Sequence, residues 1–155
     1  MELADILSEE SVIACAAIRD KRQLLEVLAE QAAKITGQDA DMIFEALSER
    51  ESLGSTGLGN GIAIPHGKFA GLKSLVALFA RLDQPVDFDS VDDQPVDLVV
   101  MLLAPLGAGA DHLKALALVA RLLRTESTAE ALRATDDPEK LYAILTTPIT
   151  AQNAA

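Results

Sequence analysis

Apolar positions along the chain follow two different spacings, and the change from one to the other marks where elements begin and end. Asp20, with Gln23 three residues on, reads as a capping box, and behind it Leu24, Leu25, Leu28, Ala32 and Ile35 share one face at helical spacing. Gly37 supplies the stop, so the spacing predicts a helix between Asp20 and Gly37. A second helix opens near Asp39, buries Ile43, Ala46 and Leu47, and ends around Glu51, where a Ser/Gly-rich segment begins. Upstream of both, Val12 to Ala17 reads as a short buried strand.

Leu75 to Leu82 and Val96 to Ala104 do not alternate. They are continuous apolar runs bounded by Pro, Asp and Gln, the pattern of strands covered on both faces. After Gly107 and Gly109, Asp111 is placed to cap a helix whose Leu113, Leu116, Ala120 and Leu123 share a face, with Lys114 and Arg121 opposite. Two shorter helices follow, around 127–134 and 138–146. The order of elements predicts an α/β fold, its sheet flanked by helices on both faces. Asp-Gln-Pro-Val-Asp occurs at 83–87 and again at 93–97, too short a match for a repeat architecture, and reads as recurrent turn chemistry. Residues 1–146 are expected to form one domain, with 147–155 as a frayed tail of small and polar residues.

Composition narrows the class. A chain of 155 residues, half of them apolar, can build one core without staples. The lone Cys15 has no partner for an internal disulfide and reads as a buried small hydrophobe. The acidic start, Met1 to Asp5, lacks the basic and apolar regions of a signal peptide. The longest apolar stretch, Leu98 to Leu106, is far short of the roughly 20 residues of a membrane-spanning helix. A cytoplasmic protein without membrane insertion is the expectation. With 24 acidic against 13 basic side chains, the net charge of −11 repels a nucleic-acid backbone. The few aromatics, Phe44, Phe69, Phe79, Phe88 and Tyr142, are scattered and offer no base-stacking platform. Nucleic acid is therefore not an expected partner.

Candidate chemistry concentrates in Gly54 to Lys68, where four glycines fall within eight residues. Glycine permits positive φ and close backbone approach, so successive amides can converge on an anion, with the Ser55 and Thr56 hydroxyls as further donors beside Gly57. A flexible connection explains the same glycines. The segment is neither a Walker loop, since no Gly-Lys-Ser or Gly-Lys-Thr follows, nor a dinucleotide fingerprint. His66 lies between Pro65, which restricts the backbone, and Gly67, which leaves room beside the ring. Its imidazole is a nucleophile at neutral pH, which a serine or threonine is not without a base.

Two further residues stand out. His112 falls at the start of the helix after Asp111, where it can donate to a ligand or pack at the edge of the apolar face. Arg50 follows Ile43 by seven and Leu47 by three, which puts it on the apolar face of the second helix, with Glu49 and Glu51 pointing elsewhere. A guanidinium there must snorkel, pair with an internal carboxylate, or meet an anion brought by the glycine segment.

Glu51, followed after six residues by Leu58-Gly59-Asn60-Gly61-Ile62-Ala63-Ile64-Pro65-His66-Gly67, resembles the phosphohistidine signature of fructose/mannitol-type enzyme IIA domains of the bacterial phosphotransferase system. Leu53 to Gly57, Gln94 to Leu98 and Asp111 to Leu113 resemble the nitrogen-related branch of that family, and the likeness runs from Leu3 to Tyr142. The resemblance implies an α/β sandwich with a central mixed sheet. It implies His66 as the phosphorylated residue with Arg50 and His112 beside it, and Ser55, Thr56, Gly57 and Gly67 as phosphoryl contacts. Lys68 follows the motif and is equally well a solvated charge. The implied donor is a small histidine phosphocarrier of the nitrogen branch, resembling HPr and charged by a dedicated enzyme I. The implied output is regulation of partners such as potassium transport or its sensor kinase. No transport domain accompanies the motif, so sugar uptake by this polypeptide alone is not expected.

Transfer onto histidine requires one ring nitrogen to attack in line while the other is held by a hydrogen bond that fixes the tautomer. No metal or other cofactor is chemically required. Three rivals remain open at this level. One is a binding module that is never phosphorylated. Another is a metal-dependent hydrolase on His66, His112 and Asp111, and the third is a soluble enzyme IIA serving sugar uptake in trans.

Overall fold

The structure is a computed structural model that describes residues 1–147, with Cys15 and Ala16 described by backbone alone. The expectation for the Cys15 side chain lies outside the described residues, as does that for the tail beyond Thr147. Two 3-10 turns, Leu3–Asp5 and Glu9–Ser11, lead into β1 (Val12–Ala16), followed by α1 (Lys21–Thr36) and α2 (Ala40–Ser52). Both helices open on an aspartate whose carboxylate accepts an amide three residues on, Asp20 from Gln23 and Asp39 from Met42. The Gln23 side chain reaches one residue further back than a capping box requires and accepts the Arg19 amide at 2.7 Å. Three short strands follow, β2 (Gly57–Gly59), β3 (Ile62–Ala63) and β4 (His66–Lys68), and then the long β5 (Val76–Val86) and β6 (Val96–Ala104). The chain closes with α3 (Ala110–Arg124), α4 (Glu126–Arg133) and α5 (Pro138–Thr146).

The strands form one mixed six-stranded sheet in the order β1-β5-β6-β3-β2, with β4 also paired to β6. β5 runs antiparallel to one edge of β6, and the two Asp-Gln-Pro-Val-Asp segments meet there, Val86 opposite Val96. On the other edge β3 and β4 lie end to end, both parallel to β6. Pro65 falls at the joint between them. It has no amide to offer, and its carbonyl accepts the Leu102 amide at 3.0 Å.

Alternation along the central strands sorts the core into two layers. Val99, Met101 and Leu103 pack with Leu24, Leu28, Ile43 and Leu47 of α1 and α2. Leu98, Val100 and Leu102 pack with Val119, Leu123, Leu132 and Leu141 of α3, α4 and α5. Helices therefore cover both faces, which is why the strands read as unbroken apolar runs. Among the described residues no helix is long and apolar enough to cross a membrane.

Three local expectations are corrected. The buried face of α3 is His112, Ala115, Val119, Leu122 and Leu123, while Leu113 is 68% exposed. The helix starts after Gly109, at φ 48°, with no side-chain cap, so Asp111 lies within its first turn. α2 likewise buries Glu51 together with Ile43 and Leu47. Glu51 does not point away from the core.

Candidate functional site

β4 places the imidazole. His66 pairs with Leu102, whose side chain belongs to the α3 side of the sheet, and successive strand residues point to opposite faces. The ring turns to that side and meets His112 in the first turn of α3, centroids 5.5 Å apart and edge to face. Gly67 points the other way, towards α2. A Cβ there would lie 3.4 Å from the Ala46 carbonyl oxygen, so the absence of a side chain lets α2 pack directly on β4.

Each ring nitrogen of His66 has a partner. Nδ1 lies 2.9 Å from the Ile64 carbonyl oxygen, and Nε2 lies 3.3 Å from Nε of Arg50. A carbonyl only accepts and a guanidinium only donates, so Nδ1 carries the proton and Nε2 the lone pair. Arg50 reaches the ring from the last turn of α2 and is braced there, its Nη1 donating to the Gly54 carbonyl at 2.9 Å. Two donors of Arg50 are thus spent on the Gly54 carbonyl and on His66 Nε2.

His112 is 7% exposed, and its Nε2 has no hydrogen-bond partner among the described residues. Burial pushes the pKa of both imidazoles below the ordinary value. At His66 the Arg50 guanidinium pushes the same way, and the Ile64 carbonyl and the Glu51 carboxylate oppose it. At His112 the charges of His66 and Lys68 add to the burial. Both rings are thus biased to the neutral form in which a nitrogen can attack or donate.

The ring opens on a cleft of about 380 Å³ lined by Ala46, Glu49, Arg50, Leu53, Gly67, Lys68 and His112. Ser55, Thr56 and Gly57 do not line it. The Ser55 hydroxyl donates to the Phe88 carbonyl at 2.6 Å, the Thr56 hydroxyl and amide both donate to Glu51, and Gly57 lies against Ser90. These groups are occupied inside the protein, and of the glycine stretch read as an anion cradle or a flexible connection, Gly57 and Gly59 lie in β2 while Gly54 and Gly61 lie in the turns that flank it. Among the described residues no cluster of three His, Cys, Asp or Glu side chains is arranged to hold a metal. Glu51 opens the signature that carries the family resemblance, but its burial was not foreseen, although its fourfold spacing from Ile43 and Leu47 carried the signal.

A family model described as phosphoenolpyruvate-dependent sugar phosphotransferase system, EIIA 2, matches residues 5–147. A nitrogen regulatory protein of Bradyrhizobium diazoefficiens is 51% identical over 96% of this chain and 97% of its own length. A nitrogen regulatory protein of Escherichia coli strain K12 is 40% identical over 94% of this chain and 90% of its own. The crystal structure of nitrogen regulatory protein IIA-Ntr from Neisseria meningitidis superposes with a TM-score of 0.88 at 36% identity, over 93% of this chain and 99% of that one.

Proposed function

We propose, from the premise that this chain belongs to the EIIA 2 family of the phosphotransferase system and to its nitrogen-regulatory branch, that it carries a phosphoryl group on Nε2 of His66 and regulates partners through that modification. The observation that carries this reading is the pair of opposed hydrogen bonds on the ring. They leave the lone pair on the nitrogen that faces Arg50 and the cleft.

The donor is the phosphohistidine of a small carrier, charged by a dedicated enzyme I. The Nε2 lone pair attacks phosphorus as the donor's P–N bond breaks, and the bonding pair returns to the donor's ring nitrogen. Positive charge that develops on the His66 ring is stabilised through Nδ1–H by the Ile64 carbonyl. Arg50, released from the lone pair, turns its donors to the equatorial oxygens, and the unpartnered nitrogen of His112 supplies another donor beside them. Gly67 lets α2, and with it Arg50, pack close beside the ring, while Ser55, Thr56 and Gly57 act by shaping the segment behind Arg50. The site works in the cytoplasm, with regulatory targets such as potassium transport or its sensor kinase as outputs.

Incubation with phosphoenolpyruvate, nitrogen-branch enzyme I and its carrier, followed by mapping of the modified residue, tests this. An acid-labile, base-stable label on His66 is expected, and His66→Ala abolishes it while the fold remains. Undiminished labelling of the variant would overturn the assignment.

A further inference from the structure

Glu51 is the only acidic side chain buried among the described residues. A carboxylate in that position has to be paired and hydrogen-bonded to persist. Its oxygens accept from Lys21 Nζ at 2.9 Å, from the Thr56 amide at 3.2 and 3.3 Å, and from the Thr56 hydroxyl. Lys21 is in turn held over the Phe88 ring, its Nζ 4.4 Å from the centroid. These contacts close the chain from Glu51 to Thr56 into a loop tied to the start of α1.

Two chains of hydrogen bonds run from that loop to the two nitrogens of His66. Along the first, the carboxylate fixes Thr56, the Thr56 carbonyl accepts the Ile64 amide at 3.1 Å, and the Ile64 carbonyl accepts Nδ1–H at 2.9 Å. Along the second, the Glu51 carbonyl accepts the Gly54 amide at 3.1 Å, the Gly54 carbonyl accepts Arg50 Nη1 at 2.9 Å, and Arg50 Nε reaches Nε2 at 3.3 Å. Gly54 sits between the clamped ends at φ 149°, a conformation that only glycine adopts readily. An ion pair serving the fold alone requires neither chain. The carboxylate roots the first chain directly, and it bears on the second by closing, through Thr56, the turn in which the Glu51 main-chain carbonyl holds Gly54.

We propose that Glu51, acting through Thr56 and the turn that Thr56 closes around Gly54, is a positioning residue that holds His66 in the Nδ1–H tautomer with Arg50 against Nε2. The role rests on the reading of His66 as the phosphorylated residue. Glu51 touches neither the ring nor the incoming group. Its loss lets the 51–56 loop relax, so that the Ile64 carbonyl and Arg50 no longer impose the same tautomer.

The test compares wild type, Glu51→Gln, Thr56→Val and the surface control Glu45→Gln. Long-range proton–nitrogen spectra of the imidazoles report the tautomer, and single-turnover transfer from the phosphorylated carrier reports the rate. Wild type and the control are expected to show one Nδ1–H tautomer for His66. Glu51→Gln is expected to show a tautomer mixture and a maximal rate lower by about ten-fold or more, the scale on which misplaced reacting groups lose rate, with KM for the carrier unchanged within about two-fold. Thr56→Val shifts both readouts in the same direction and carries the test if Glu51→Gln does not fold. A wild-type tautomer pattern and rate in the folded variants would overturn the proposal. The spectra need no phosphoryl donor, so a chain that is never labelled defeats the function while the tautomer comparison still decides the positioning.

Discussion

At His66 the two nitrogens face partners of opposite hydrogen-bonding kind, and the pH behaviour of the site follows from what those partners and the burial do to the ring. The folded pKa lies below the unfolded imidazole value of about 6.5, chiefly through burial. Between the two values the unfolded chain binds more protons than the folded one, so stability falls as pH drops through that window and is complete above about 6.5. The neutral nucleophile persists over the same range. The acid limb of the transfer rate, and the NMR titration of His66, are therefore expected below 6.5, and a midpoint above it would contradict the burial argument. Arg50 makes a further prediction, because Nε, which meets the ring, and Nη1, which meets Gly54, belong to one planar group. Lysine keeps the charge and loses the pair. Arg50→Lys is expected to slow transfer by about ten-fold or more, since arginine contributions to phosphoryl transfer often reach far beyond that. A wild-type rate in that variant would reduce Arg50 to a surface cation.

Among the elements, legibility tracked how much of each signal was local. Capped helices with one apolar stripe, α1 and α2, were readable because cap and stripe agree. The strands β5 and β6 were readable because burial on both faces leaves them apolar throughout. α3 was readable as a helix but not in its facing. Ala115 to Leu123 is apolar nearly all round, so the stripe starting at Leu113 competed with the one starting at His112. A buried histidine carries no hydropathy to break that tie. β2, β3 and β4 were illegible, since strands of two or three residues rich in glycine have no period, and their pairing with β6 depends on residues far along the chain. The site shows the same division. His66, Arg50 and His112 converge as the motif implied, while the 54–57 segment braces them from behind. Gly57 tests that bracing role. A Cβ there would lie 3.0 Å from the Ser90 Cβ and 3.1 Å from its Cα, closer than packed atoms tolerate. Gly57→Ala is expected to cost about 1–3 kcal/mol in urea unfolding, the range for overpacked sites. No loss would mean that the 88–92 segment yields freely.

For the whole molecule, the proposed switch requires that a group of a few atoms on His66 be read by partners. The protein carries a net charge of −11, yet the cleft gathers Arg50 and Lys68, against the single carboxylate of Glu49, beside two histidines. Its wall includes an apolar side chain turned to solvent, Leu53 at 83% exposure, and Leu113, the residue after His112 in α3, is 68% exposed. Such a rim suits a partner that covers the site, and covering it desolvates whatever His66 carries. A phosphoryl group adds about −1.5 to −2 charges at neutral pH. On this protein it would offset the local cations and place an anion where a partner must exclude water. Both core layers pack on the same sheet, so the modification has no packed element to displace, and the signal is expected to be local electrostatics. Unphosphorylated protein should therefore bind at least one target more tightly than the phosphorylated form does, with unchanged circular dichroism and unchanged amide spectra away from the cleft. Calorimetry on targets recovered with wild type, His66→Ala and the mimic His66→Glu measures this. Wild type and His66→Ala are expected to agree, and His66→Glu to be weakened, more at low salt than at high salt because the repulsion is screened. Equal affinities for all three proteins would rule out a charge-read switch and leave the phosphoryl relay standing on its own chemistry.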